Sequence, residues 1–172
     1  MGNKFILLAL ICYMPSLTIK QATRENIKNL DFIRDCKLPK LHEKRFKSQD
    51  KGKSNYYIFY FAGKPVGHVE IILKSRRKYH KYPLLCDLYV KKRERGKGIG
   101  HKILELVGKK LKKQGYKYMG LDVETKEKGL RKLYDGVGFK LHSGPHRQTC
   151  IEKDNNNKKV YFTILHLRKK LI

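Results

Sequence analysis

Apolar residues recur along this chain at two spacings, and each spacing predicts one type of secondary structure. Runs rich in β-branched and aromatic residues, bounded by turn residues, predict strands at 56–61, 66–74, 84–90, 120–124, 139–142 and 160–167. Apolar residues three and four positions apart predict helices at 24–36, 99–113 and 130–137. Residues 75–82 are interpreted as a basic loop with interleaved tyrosines, and turn residues predict a loop at 143–157. Residues 37–54 are basic and irregular, with only partial helix signals.

A glycine-rich turn joins the apolar strand that ends at Val90 to the following helix. It runs from Arg95 to Gly100 with the sequence RGKGIG. The first N–H groups of a helix lack internal partners, and the helix dipole adds positive potential there. Glycines let a phosphate group approach the backbone, while Arg95 and Lys97 supply charge. The sequence therefore predicts a phosphate-binding turn, although its glycine spacing matches neither the dinucleotide fingerprint nor the Walker loop.

Two motifs together resemble those of one enzyme superfamily. The turn reads R-x-x-G-x-G with L-x-V just upstream, which resembles the acetyl-CoA motif of the GNAT superfamily of N-acetyltransferases. Further along, Leu121-Asp122-Val123, Leu133-Tyr134 and Gly138-Phe139 match the family's L-x-V, L-Y and G-F in order and spacing. One position departs from the pattern, because the chain has Glu127 where the family often has Asn.

The resemblance implies a fold and a cofactor site. The expected fold is α/β (α+β), with a mixed, mostly antiparallel sheet whose central strands splay apart and are flanked by helices. The strands ending at Val90 and Glu124 would diverge around acetyl-CoA. Backbone groups of Leu88, Tyr89 and Val90 would hold the pantetheine arm and polarise the thioester carbonyl. The pyrophosphate would lie on Arg95, Gly96, Lys97, Gly98, Ile99, Gly100 and His101.

Acetyl transfer to an amine needs proton transfers, and a few residues are candidates for them. A lysine-like amine has a pKa of about 10.4, so a base or a water chain is useful at neutral pH. By its match to the family's L-Y, Tyr134 is the candidate acid for the leaving thiolate. Asp122, at a catalytic position of some protein N-acetyltransferases of the family, ranks first as base. Asp87, in a D-L-Y-V form seen in amine-acetylating members, ranks second. Glu124 and Glu70 follow.

Each of these acidic residues could instead be an ion-pair partner for one of the many cationic side chains. The chain has 41 Lys and Arg against 15 Asp and Glu, a net charge of +26. Nucleic acid or ribosome binding would use such charge, but lysine is spread along the whole sequence and no nucleic-acid motif occurs. We therefore favour a lysine-rich solvated surface.

Cysteine and histidine spacing bears on the compartment and on metal binding. The four cysteines form no C-x-x-C pair and no dense framework, which indicates reduced thiols and a cytoplasmic protein. His142, His146 and Cys150 are spaced like metal ligands, but no fourth ligand is evident, so we expect no metal site.

Residues 1–15 are predicted to be an apolar extension outside the fold, followed by one GNAT-like domain at 16–172. The apolar run 5–14 is too short for a membrane-spanning helix, which needs about 20 residues, so no stable membrane anchor is expected. Residues 17–23 resemble the first strand of a GNAT domain. Our hypothesis is that translation starts at Met14, and mass spectrometry of the native protein would contradict it if peptides with Met1 dominate.

The predicted function is acetyl transfer from acetyl-CoA to a primary amine by direct attack in a ternary complex. A small-molecule amine is slightly favoured as acceptor. The alternatives are a protein N-terminal or ribosomal-protein acetyltransferase, and a non-catalytic basic binding module with the same fold. The acceptor walls carry no readable motif, and the sequence does not indicate the oligomeric state.

Overall fold

The computed structural model describes residues 16–73, 79, 81–151 and 159–172. The predicted N-terminal extension, including the possible start at Met14, lies outside the described residues. So do most of the basic loop at 75–82 and residues 152–157 of the predicted second loop. Within the described part of the chain, the helices are too short or too polar to cross a membrane.

Within the described residues, the chain forms seven strands and four helices. The strands are β1 (Leu17–Gln21), β2 (Ser54–Phe61), β3 (Lys64–Ile72), β4 (Leu84–Val90), β5 (Tyr118–Glu124), β6 (Lys140–Ile151) and β7 (Lys159–Lys170). The helices are α1 (Ile27–Arg34), α2 (Pro39–Asp50), α3 (Ile99–Lys113) and α4 (Lys128–Gly136). Short 3-10 turns, Arg24–Asn26 and Lys92–Glu94, precede α1 and follow β4.

Two segments differ from the sequence-based expectation. Residues 37–54, expected to be irregular, contain the 12-residue helix α2, which begins with Pro39 at its first position. The predicted loop at 143–157 is wrong as far as Ile151, because β6 continues beyond 142 in an antiparallel ladder with β7. The pairing shifts register on either side of Ser143, so the strand accommodates the Gly-Pro pair that had predicted a loop.

The sheet confirms the predicted mixed topology, with strand order β1-β2-β3-β4-β5-β7-β6. Every neighbouring pair is antiparallel except the central pair β4 and β5, which is parallel. That pair joins only at Leu84 with Gly120 and at Leu85 with Leu121. Beyond these residues the two strands diverge, which is the predicted splay.

Each face of the sheet has its own core, as alternate residues of β2 demonstrate. Tyr57 and Phe59 belong to the larger core, which also contains buried side chains of α3 and α4. Tyr56 and Ile58 belong to the smaller core, which contains buried side chains of α1 and α2. The divergence of β4 and β5 therefore opens between two helical layers.

Candidate functional site

A cavity of about 520 Å³ lies where β4 ends, beside the first turn of α3 and one side of α4. Its wall includes eight of the ten residues predicted to bind the cofactor: Leu88, Val90, Arg95, Gly96, Gly98, Ile99, Gly100 and His101. Tyr134, Leu130, Leu133, Glu94 and Glu127 complete it. The other two predicted residues, Tyr89 and Lys97, are not part of this wall.

The glycine turn leaves the start of α3 open toward the cavity. Gly96 and Gly98 have φ angles of 77° and 74°, a left-handed conformation that favours glycine. A Cβ at either position would meet no atom within 4 Å. The first helical hydrogen bond of α3 runs from Lys102 N to Gly98 O at 3.1 Å, so the preceding N–H groups have no partner within the helix. These donors can hold an anion.

The charged side chains around the turn have different interaction partners. Arg95 Nε donates to Val90 O at 3.0 Å, and its guanidinium lies 4.9 Å from the centre of the Tyr89 ring. Lys97 is not among the cavity-lining residues, and its Nζ pairs with Glu94, which does line the cavity, at 2.9 Å. Glu127 precedes α4 and lines the cavity, so the departure from the family's Asn puts a carboxylate there.

A bulge in β4 decides which side chains face the cavity. Between the pairs Glu70–Cys86 and His68–Tyr89, two residues of β4 lie opposite the one residue Val69. The first of them, Asp87, has a φ angle of 50°. The slip reverses the alternation, so Leu88 and Val90 pack toward the larger core while Tyr89 packs toward the smaller one.

Asp87 lies on the α1 side of the sheet rather than in the cavity. Its carboxylate forms ion pairs with Arg34 of α1 and Arg45 of α2. Burial disfavours the charged carboxylate, but Arg45, His68 and Arg34 outweigh this effect, and the pKa of Asp87 is lowered. A lowered pKa makes Asp87 a weaker proton acceptor than an ordinary aspartate.

Asp122 also faces away from the larger core, because its neighbours Leu121 and Val123 are buried within that core. It lies opposite His166 of β7 in the sheet, and its carboxylate bonds to His166 Nδ1. His166 is 1% exposed, whereas 16% of the Asp122 side chain is accessible. Of the two residues, Asp122 is therefore the more accessible one.

The sequence reasoning missed His166, although a histidine in the middle of the apolar run of β7 was a signal. It belongs to an aromatic cluster on the same face of the sheet. The Tyr79 ring stacks at 4.8 Å on His166 and at 4.2 Å on His146. His146 Nε2 also lies 2.7 Å from Ser143 Oγ. Within the described part of the chain, no three His, Cys, Asp or Glu side chains are arranged to hold a metal.

Tyr134 is placed between the core and the cavity. The residue is 8% exposed, and its ring packs edge-on against Phe139 with the centres 5.9 Å apart. Burial raises the pKa of its hydroxyl. The phenol is therefore protonated at neutral pH, and Tyr134 is one of the residues that line the cavity.

The remaining two carboxylate candidates are both paired with cations. Glu124 lies 2.8 Å from Lys126 Nζ, and Glu70 lies 3.3 Å from Arg45 Nε. Neither lines the cavity. The structure thus brings Tyr134 to the cavity and leaves the four acidic candidates on or near the opposite face of the sheet.

Known structures of similar shape include N-acetyltransferases. The ribosomal-protein-S18-alanine N-acetyltransferase of Escherichia coli aligns with a TM-score of 0.65 at 15% identity, over 91% of this chain and 94% of its own. A spermidine/spermine N-acetyltransferase from Vibrio cholerae gives 0.66 at 15% identity, over 90% and 92%. A putative acetyltransferase from Salmonella typhimurium, solved with acetyl-CoA, gives 0.65 at 13% identity, over 91% and 95%.

At such low identity these structures show a shared fold. No curated protein sequence matches the chain. A family profile does match it, however, over residues 24–139, and its description is acetyltransferase (GNAT) family. That range covers most of the chain and includes the glycine turn, the diverging strands and Tyr134. The chain belongs to the GNAT family and is an acetyl-CoA-dependent N-acetyltransferase.

Proposed function

We propose that the protein acetylates a primary amine of low positive charge, by direct attack within a ternary complex. The observation that carries this proposal is the opening between β4 and β5, which pair at only two positions. The cavity lies on the side of α3 and α4, while β4 faces α1 on the other side. Two substrates can thus approach the same stretch of β4 from opposite faces, which supports direct transfer.

The cavity fits the predicted cofactor. The open space at Gly96 and Gly98 and the N–H groups at the start of α3 suit a pyrophosphate. Leu88 and Val90 offer an apolar wall with backbone groups along the end of β4. Acetyl-CoA, when bound, supplies the activated acetyl thioester. We assign Leu88 to Val90 to hold its arm, and the turn together with His101 to hold its phosphates.

Tyr134 is the proposed proton donor to the leaving thiolate. Its hydroxyl belongs to a cavity-lining residue and stays protonated at neutral pH because burial raises its pKa. For the base, Asp122 is favoured over Asp87. The Asp122 side chain is partly accessible and pairs with His166, whereas two arginines already neutralise Asp87 and lower its pKa.

The acceptor face of the sheet favours a monoamine over a polycation. Asp87 and Glu70 share Arg45, Asp122 pairs with His166, and Glu124 pairs with Lys126. Recruiting several ammonium groups would require breaking such pairs. A small monoamine remains the favoured acceptor. A protein N-terminus is the second candidate, because its α-amine has a pKa of about 8 and needs little help from a base.

Isothermal titration with acetyl-CoA tests the cofactor site. We expect wild-type protein to bind and a Gly98→Glu variant to lose binding, because an added carboxylate at the turn repels the phosphates. Gly63→Glu is the matched control, since Gly63 has a φ of 75° and open space but lies in the β2–β3 turn. Equal affinity of both variants would contradict the assignment of the turn.

A panel of acceptors tests the second half of the proposal. Release of the CoA thiol is followed with small monoamines, a polyamine, and peptides with free N-termini. We expect turnover with monoamines or peptides to exceed that with the polyamine. Preference for the polyamine would contradict the charge argument. Salt-dependent RNA binding without acetyl transfer to any acceptor would instead favour the non-catalytic alternative.

A further inference from the structure

We propose that helix α1 is fastened to strand β4 at both ends of the segment 88–90, and that this double attachment positions the thioester for transfer. Arg34 makes the first attachment through Asp87, and Lys91 makes the second. The inference rests on the proposed function, since it concerns the segment assigned to the cofactor's arm. Arg34, Asp87 and Lys91 are then positioning residues, which act through the backbone of β4.

The first attachment fixes the bulge. Asp87 is a non-glycine residue with a left-handed φ of 50° in the middle of a central strand, a conformation that needs support from its surroundings. Its two carboxylate oxygens are held separately, one by Arg34 of α1 and the other by Arg45 of α2. Arg45 is 5% exposed and also donates to the Tyr56 hydroxyl at 3.0 Å. Side chains from both helices of the smaller core therefore hold the bulge in place.

The second attachment lies directly after the segment. Lys91 is 8% exposed, and among the lysines whose burial the structure describes it is the buried one. Its ammonium group donates to the Phe32 carbonyl of α1 and to Asp35 at 2.7 Å. Its backbone N–H donates to Val66 O at 2.8 Å. Burying a lysine is costly unless it is paired, so this contact is a specific one.

The middle of the segment is held from the same side. The Tyr89 ring lies 4.5 Å from the Arg34 guanidinium and stacks on His68 at 5.8 Å. Arg34 Nε donates to His68 Nε2 at 2.9 Å, which fixes the guanidinium over the ring. Arg95, on the cavity side, contacts the same ring and the Val90 carbonyl. The α1 contacts and the phosphate turn thus meet at Tyr89.

Two consequences follow for transfer. The bulge sets the alternation that turns Leu88 and Val90 toward the cavity, so loosening Asp87 misplaces the backbone that faces the thioester. In addition, α1 packs on the face of β4 opposite the cavity, which is the side proposed for the acceptor. The attachments therefore tie the acceptor side to the cofactor side. We expect their loss to lower kcat more than cofactor affinity, because about 1 Å of misplacement can reduce a rate roughly 100-fold.

The test compares Lys91→Met with Lys92→Met, a matched pair in which Lys92 is exposed and lies outside both attachments. Arg34→Met and Asp87→Asn probe the other end. We expect kcat to fall about tenfold or more in Lys91→Met, Arg34→Met and Asp87→Asn. The Kd for acetyl-CoA, measured by titration calorimetry, should change less than about threefold. Lys92→Met should behave as wild type in both measurements.

Milder variants guard against simple unfolding. Asp35→Asn removes only one partner of Lys91, at a side chain that is 56% exposed, and Arg34→Lys keeps a cation near Asp87. Both should fold and give intermediate kcat values. If Lys91→Met and Lys92→Met have equal kcat, or if only KM changes, the inference is overturned.

The pH profile separates positioning from base catalysis. A positioning role for Asp87 leaves the shape of the kcat–pH profile unchanged in Asp87→Asn, with every value lowered. If Asp87→Asn loses the acidic limb of the kcat–pH profile while Lys91→Met keeps it, Asp87 is the base and the inference is overturned. Failure of the wild type to bind acetyl-CoA would overturn the proposed function. If the wild type turns over normally and the variants at the two attachments have the same kcat as the wild type, only the inference about the attachments is overturned.

Discussion

Gly67 of β3 lies directly against the cofactor strand β4. It pairs with Val90 in the sheet, and a Cβ added there would lie 2.8 Å from the Tyr89 carbonyl oxygen and 3.0 Å from the tip of Ile103. The Ile103 side chain can rotate, but the Tyr89 carbonyl is part of the backbone. A Gly67→Ala substitution therefore pushes β4 at the segment assigned to the thioester.

The structure gives the size of this displacement. Restoring an ordinary contact of 3.4 Å requires the Tyr89 carbonyl oxygen to move by about 0.6 Å. Since a shift of about 1 Å can reduce a rate roughly 100-fold, we expect kcat to fall about tenfold. Overpacking of this kind also destabilises a fold by about 1–3 kcal/mol. Both effects come from one methyl group that carries no charge and adds no hydrogen bond.

Steady-state acetyl transfer and urea unfolding measure the two effects. Gly136→Ala is the control, because a Cβ at Gly136, the last residue of α4, meets nothing within 4 Å. That variant should keep its kcat and gain up to about 1 kcal/mol, as alanine is favoured over glycine in helices. Wild-type kcat and stability in Gly67→Ala would refute the reasoning that β4 is rigidly held against β3.

Three further predictions concern proton transfer and pH. Tyr134→Phe should lower kcat about 100-fold with little change in acetyl-CoA affinity, because general acid catalysis typically contributes that much. Asp122→Asn should remove the acidic limb of the kcat–pH profile, and His166→Gln should lower kcat less; an intact limb in Asp122→Asn would exclude it as base. Burial lowers the pKa of His68 from 6.5 to about 3, so the unfolded chain binds the proton first as the pH falls. The free energy of unfolding should therefore drop by about 1.4 kcal/mol per pH unit between pH 6.5 and 3. Urea titrations at several pH values should show that the free energy of unfolding depends less steeply on pH in His68→Gln than in the wild type. The pH dependence that remains in this variant is due partly to His42, whose pKa is also lowered by burial.

The elements that the sequence predicted well are those with a strong local signal. Helix α3 has an apolar stripe from Ile99 to Leu111. The buried apolar side chains of this stripe belong to the larger core. The glycine turn before it has left-handed φ angles at Gly96 and Gly98, and glycine is the residue type that indicates such angles in a sequence. These local signals carried the resemblance to the GNAT superfamily, and that resemblance predicted the mixed, splayed sheet and most of the cavity wall.

Helix α2 escaped the prediction because its buried face is mostly polar. Its buried residues are His42, Arg45 and Phe46, so no apolar stripe marks the helix. Packing comes instead from side-chain contacts with β2, since Arg45 and His42 lie 3.0 and 3.1 Å from the Tyr56 hydroxyl. A pattern search for hydrophobic periodicity is insensitive to a helix that is held by such a network.

The roles of the carboxylates depended on register, which the sequence does not encode locally. Asp87 faces α1 only because the bulge in β4 slips the alternation by one residue. Asp122 meets His166 only because β7 inserts between β5 and β6, 44 residues further along the chain. The residues were recognised as candidates, but which ones are ion-paired follows from long-range strand pairing.

The distribution of cations separates the chemistry of the site from the large positive charge of the chain. Inside, Arg34 and Arg45 are matched by Asp87 and Glu70, so this network is close to neutral. Guanidinium groups suit such places because they bond two ways and stack on aromatic rings. The lysines of α3 lie toward solvent at Lys109, Lys112 and Lys113. The preference for a weakly charged acceptor therefore rests on the local ion pairs of the acceptor face and not on the net charge.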